Sequence, residues 1–147
     1  MHWEKENYSV STDPSKIDLE TVHDYLSNRS YWAQNIPIEI VRCSIENSLC
    51  FGLYYQQQLV GFARVISDYA TFAYLGDVFI VPDHRGKGLS KWLMTIIMGH
   101  PRLQGLRRFL LTTKDAHGLY ARFGFLPYPQ PERMMTINRP DLYKAGQ

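Results

Sequence analysis

Between residues 81 and 93 the chain reads VPDHRGKGLSKWL. Arg85, Gly86, Lys87, Gly88 and Lys91 stand between an apolar run and an amphipathic one. Glycines let an anion approach the backbone without meeting a Cβ. The first N–H groups of a helix lack internal partners and carry the positive end of its dipole. Together these features suit a phosphate or pyrophosphate. The nucleoside-triphosphate loop G-x-x-x-x-G-K-[ST] is absent, and Lys91 occupies the final glycine position of the dinucleotide fingerprint G-x-G-x-x-G. A plain glycine-rich connection with solvated charges is the competing reading.

The elements around this turn follow from periodicity. Val78-Phe79-Ile80-Val81 is apolar on both faces, as a central strand should be, and Pro82 stops it. Leu89, Trp92, Leu93, Ile96 and Ile97 recur at helical spacing, with Gly99 and Pro101 at the end. Upstream, Tyr8–Ser11 reads as a short strand. Ile17–Leu26 and the run from Ile38 read as helices, with Pro37 suited to the first turn of the second. LCFGLYY, LVGFARVIS and TFAYLGDVFIVP read as strands, the first two joined by QQQ. Downstream, RRFLLTT is a buried strand and Ala116–Phe123 a short helix closed by Gly124. FLPY and MMTI suggest a final hairpin-like pair. The order is β-α-α-β-β-β-α-β-α-β, a mixed α/β sheet with one strand-helix-strand crossover.

Composition narrows the partners. The 147 residues, 45% hydrophobic and 20% charged, fit one domain spanning 1–147 with a full core. A net charge of +2 argues against nucleic acid. No apolar run reaches the ~20 residues that cross a bilayer. The N-terminus lacks the apolar core of a signal peptide, so a cytoplasmic location is expected. Cys43 and Cys50 read as reduced thiols, and no metal-ligand spacing occurs, so no metal is expected.

Arg85-Gly86-Lys87-Gly88-Leu89-Ser90 resembles the [RQ]-x-x-G-x-[GA] acyl-CoA-binding loop of the GNAT N-acetyltransferases, with Ser90 where that family usually has Gly or Ala. TKDAHGLYARFGF resembles the family's N-x-x-A-x-x-L-Y-x-x-x-G-F block, with Thr113 in the usual Asn place, then Ala116, Tyr120 and Gly124-Phe125. The resemblance implies a GNAT fold: a mixed sheet of about six to seven strands with about four helices, splayed between the fourth and fifth strands. It implies acetyl-CoA as cofactor. Backbone groups of Phe79, Ile80 and Val81 would hold the pantetheine arm, and the N–H groups from Arg85 to Ser90 the pyrophosphate.

Tyr120 is the family's usual acid, and a phenol of pKa ~10 keeps its proton at neutral pH. Asp77 is the candidate base, or else an Asp bonding the backbone of a bulge after Gly76. Asp68 and His117 are lesser candidates, Asp68 more naturally serving a turn. The fold's acceptor pocket would draw on Arg29, Tyr31 and Trp32, on Asp68, Tyr69 and Phe72, and on Tyr128 and Arg133. Aromatics with an acid suit a cationic amine, and the arginines suit a carboxylate. The expected activity is transfer of an acetyl group to a primary amine on a small molecule or peptide, by direct attack in a ternary complex. The alternative is a non-catalytic acyl-CoA sensor of the same fold. GNAT proteins are often dimers, and MMTI offers an apolar strand for a homodimer edge.

Overall fold

The computed structural model describes residues 1–144. A short hairpin, β1 (His2–Lys5) against β2 (Tyr8–Ser11), opens the chain. Only its second strand was legible in the sequence. α1 (Leu19–Asn28) starts after Asp18, whose carboxylate accepts the Thr21 N–H at 3.2 Å and caps the helix. α2 (Ile38–Glu46) follows, with Pro37 standing at its N-cap rather than within its first turn. β3 (Leu49–Tyr55) and β4 (Gln58–Ser67) are joined by Gln56 and Gln57, both at positive φ, as a two-residue hairpin turn requires. β5 (Phe72–Ile80), α3 (Leu89–Met98), β6 (Arg108–Leu111) and α4 (His117–Ala121) complete the regular elements.

The six strands lie in chain order, β1 through β6. All neighbours are antiparallel except β5 and β6, which are parallel and linked through α3. Successive strand residues feed opposite faces. Cys50 joins Phe62 and Phe79 under Val22, Leu26 and Val41 of α1 and α2. Its neighbour Phe51 joins Leu53 and Val65 under Leu93, Met94 and Ile97 of α3. Burial of each such side chain stabilises the fold by about 1.5–3 kcal/mol.

Two irregularities in β5 prepare the site. Phe62 stands opposite Phe79 and Arg64 opposite Gly76, so Asp77 and Val78 together face Ala63. This is a β-bulge, and Asp77 takes φ 54° within it. The extra residue shifts the alternation by one: Ala73 and Leu75 share the α3 face with Ile80, not with Phe79. The second irregularity is a splay. β6 pairs with β5 only from Phe72 to Leu75, and Gly76–Ile80 run on without a partner on that side. Counted from Tyr8–Ser11, these are the fourth and fifth strands, where separation was expected.

The expected last hairpin does not form. After α4 the described residues hold no strand, and their regular structure is a 3-10 turn at Pro131–Arg133 and a turn over residues 140–143. Pro127, Pro129 and Pro131 alternate, so three N–H donors are missing from one edge of the would-be strand.

Candidate active site

The glycine turn has the form its residues suggest. Pro82–His84 make a 3-10 turn, and Gly86 and Gly88 take φ values of 78° and 75°. Gly88 is the N-cap of α3 and carries no side chain to satisfy the first helical amides. A Cβ placed on Gly86 or Gly88 would meet nothing within 4 Å, so the amides open onto free space. Leu89 is buried under the helix, and Ser90 is half-buried at its start. Lys87 and Lys91 are exposed and make no ion pair among the described residues. Arg85 is differently engaged. Its Nε donates to the Ile80 carbonyl at 2.8 Å and its Nη2 to the Tyr25 hydroxyl at 2.8 Å. It therefore braces the turn against β5 and α1. Tyr25 in turn stacks on Phe79 with ring centroids 3.9 Å apart.

The free side of β5 offers fewer backbone groups than expected. The Val81 N–H donates to the Val60 carbonyl at 2.8 Å, so residue 81 faces β4. Antiparallel neighbours alternate in the side to which they turn N–H and C=O. Phe79, opposite Phe62, therefore also faces β4, and Ile80 faces the splay. Of the three residues expected to hold an extended arm, only Ile80 aims its backbone there, and its carbonyl is shared with Arg85. Val78, which the sequence reading omitted, lines the cleft beside it.

That cleft, about 640 Å³, lies where β5 and β6 part. Thr113 Oγ1 accepts the Ala116 N–H at 3.0 Å and so fixes the approach to α4. α4 then aims Tyr120 into the cleft with 8% of its surface exposed. Its ring meets Phe125 edge-to-face at 6.1 Å. Its hydroxyl makes no hydrogen bond among the described residues. Burial, helped by Tyr31 and Asp115, pushes the Tyr120 phenol up to about 12. Across the cleft, both Asp77 carboxylate oxygens are held: Oδ2 by Arg64 Nε at 2.8 Å and Oδ1 by Trp32 Nε1 at 2.8 Å. The Arg64 and Asp77 side chains are 18% and 12% exposed. Tyr31 bridges the walls, its hydroxyl accepting the Lys114 N–H at 3.1 Å and its ring packing edge-to-face on Trp32.

The structure thus brings Tyr31, Trp32, Asp77, Thr113, Ala116 and Tyr120 to one cleft. It does not bring Arg29, Asp68, Tyr69, Phe72 or Tyr128 there. Arg29 is exposed and pairs with Asp24 at 3.7 Å. Asp68 closes its turn by accepting the Ala70, Thr71 and Phe72 N–H groups and the Thr71 hydroxyl, which together hold its carboxyl far below the usual range. Tyr69 lies under Arg102, 3.6 Å from guanidinium to ring centroid. Phe72 opens β5 five residues before Asp77, roughly 16 Å away along the strand. Tyr128 and the exposed His117 line a neighbouring groove that shares Leu111, Thr112, Thr113 and Tyr120 with the cleft, and Arg133 is exposed in the last 3-10 turn. Arg64 was missed. Its signal was a lone cation inside the apolar run LVGFARVIS.

The family model of the acetyltransferase (GNAT) family matches residues 12–125. This chain is a member of the GNAT acetyltransferase family. The acetyltransferase is 55% identical to a Xanthomonas campestris pv. campestris protein of the same family, with a TM-score of 0.92 over 93% of this chain and 96% of that one. It is 32% identical to the Gibberella zeae protein FG08082, which carries the name of an acetyltransferase, over 94% of this chain and 90% of that one. It is 33% identical to the N-acetyltransferase-named ycf52 protein of Gracilaria tenuistipitata var. liui, over 76% of this chain and 62% of that one. A Clostridium acetobutylicum acetyltransferase solved with acetyl-CoA shares the fold at 15% identity and a TM-score of 0.66. The acetyltransferase is thus an acyltransferase enzyme, and acetyl-CoA is its cofactor. The uncapped α3 amides behind two left-handed glycines and the unpaired edge of β5 fit that cofactor's pyrophosphate and extended arm. Among the described residues no helix is long and apolar enough to cross a membrane.

Proposed function

We propose that the whole chain, as one domain, moves the acetyl group of acetyl-CoA to a primary amine by direct attack in a ternary complex. The observation that supports this best is the joining of a buried, protonated phenol and a fixed carboxylate across one cleft at the splay. Bound acetyl-CoA supplies the thioester carbonyl and the leaving sulfur. The amides from Gly86 to Ser90 bind its pyrophosphate, with Lys87 and Lys91 as supporting charge, and Arg85 holds the turn in register. The Ile80 N–H is the backbone donor aimed at the arm. Tyr120 keeps its proton at Oη at neutral pH and stands ready to donate it to the departing sulfur. Asp77 has lone pairs left on both oxygens. It attracts the acceptor's ammonium and receives its proton through water, so that the amine is neutral when it attacks.

The acceptor is a small-molecule or peptide amine. Tyr31 and Trp32 present aromatic surface to a cation, and Asp77 gives it a counter-charge. The test is release of free thiol from acetyl-CoA across a panel of amines, run beside titration calorimetry with CoA. Turnover with at least one amine is the expected result. CoA binding without turnover on any amine would favour the sensor reading.

A further inference from the structure

Tyr25, buried near the end of α1, touches two loops at once. Its hydroxyl accepts Arg85 Nη2 from the glycine turn at 2.8 Å, and the stack on Phe79 of β5 fixes its ring. Its backbone carbonyl accepts the N–H groups of Arg29 and Ser30, the first two residues after α1, at 2.8 and 2.9 Å. These residues open the loop that carries Tyr31 and Trp32. Buried Ser30 clamps that loop: its hydroxyl donates to the Leu26 carbonyl at 2.6 Å and accepts the Ala33 N–H at 3.0 Å. Tyr31 and Trp32 lie inside the clamp, and Trp32 reaches across to Asp77. The turn and the loop therefore hang on opposite ends of one residue.

We propose that Tyr25 is a positioning residue shared by the cofactor turn and the acceptor loop, so that a pyrophosphate bound at the turn steadies the loop. The inference rests on the reading that Tyr31 and Trp32 face the acceptor. Gly86 and Gly88 leave the empty turn conformationally free, so CoA binding must order it. Arg85 belongs to that turn and bonds both the Ile80 carbonyl and the Tyr25 hydroxyl. A bound pyrophosphate thus holds the guanidinium, and through it Tyr25, in one place. Hydrogen bonds and packed rings carry such a constraint along a contiguous path. At the far end of Tyr25, less disorder is left for the acceptor to remove. The coupling is reciprocal: an acceptor held by the loop strengthens CoA binding by the same factor.

The test uses the full-length protein and ADP, which carries a pyrophosphate but no pantetheine arm to reach the cleft. Trp3→Phe with Trp92→Phe leaves Trp32 as the one indole, and its quenching by acrylamide is read with and without ADP. Saturating ADP is expected to lower the quenching. Tyr25→Phe keeps the ring stack and loses the hydroxyl, and it is expected to abolish that change. Calorimetry on the otherwise parental chain should show the Kd for CoA rising about fivefold in Tyr25→Phe. Tyr54→Phe is the control. It removes another buried phenol, whose partner, the Lys16 carbonyl at 2.9 Å, belongs to neither loop. It should leave both the Kd and the shielding at parental values. The proposal is overturned by bound ADP that leaves Trp32 quenching unchanged, or by shielding that persists in Tyr25→Phe. It is equally overturned if Tyr54→Phe loses as much CoA affinity as Tyr25→Phe. Shielding that depends on Tyr25 in a protein that acetylates no amine would sink the transfer reading and leave this one standing.

Discussion

Asp77 occupies a left-handed backbone position at φ 54°, which costs an L-residue roughly 1–2 kcal/mol. Arg64 and Trp32 hold it there from opposite oxygens. Asp77→Asn is therefore expected to lower kcat/KM for the amine and also the melting temperature, since it leaves Arg64 largely buried without its counter-charge. Trp32→Phe keeps the ring and drops one donor, so the KM for the amine should rise several-fold while CoA affinity holds. A Trp32→Phe enzyme with unchanged amine kinetics would remove Trp32 from the acceptor site. Tyr120→Phe is expected to lower kcat about 10²-fold with CoA binding intact. Turnover left at the parent rate would end the acid role. Tyr120 and Thr113 were legible because a motif spaces them. Arg64 and Tyr25 were not, because each acts through a partner elsewhere in the chain that only the folded sheet supplies, and Val78 was not, because it lines the cleft from a bulge that only the β4–β5 register reveals.

At the level of elements, apolar runs and their punctuation were enough for β3, β4, β5, α1 and α3. The outer pieces were harder to read. β1, HWEK, is mostly exposed and pairs only with β2, so it leaves little apolar pattern. The C-terminal stretch has the pattern of a strand, but its prolines deny it a local partner. Of the expected acceptor residues, Tyr31 and Trp32 reach the cleft, whereas the Asp68 turn lies at the far end of β5, nine residues long, from the glycine turn. Gly88→Ala should cost about 1 kcal/mol of stability from its φ of 75° alone, and it should weaken CoA binding further because its methyl enters the open space before the amides. Calorimetry with CoA reads both this variant and Ser90→Gly, which should bind nearly as well as the parent if Ser90 is only a small residue. A Gly88→Ala protein with parental CoA affinity would take the pyrophosphate away from this turn.

Across the whole molecule, buried titrating groups frame the pH range of stability. Burial pushes the Cys50 thiol and the Tyr54 and Tyr120 phenols up to about 12. Each binds its proton more tightly folded than unfolded, so the stability it contributes is full below its ordinary value and is lost as pH climbs toward about 12. His100 is the opposite case. Burial lowers it from 6.5, so its contribution is full above that value and is lost as pH falls through the lowered one. Thermal melts should show a plateau at neutral pH that falls on both sides, and Tyr54→Phe should soften the alkaline fall. The sheet's strand order carries one further consequence. The β1–β2, β3–β4 and β4–β5 hairpins close over short turns and can form early in folding. The β2–β3 pairing must span Thr12–Ser48, with α1 and α2, and the β5–β6 pairing must span Val81–Arg107, with α3. Trp32 lies in the first of these long connections, and Asp77 and Tyr120 lie on either side of the second, so the candidate cleft is assembled only when both late closures are made. In refolding, native-like circular dichroism should return before acetyl transfer does.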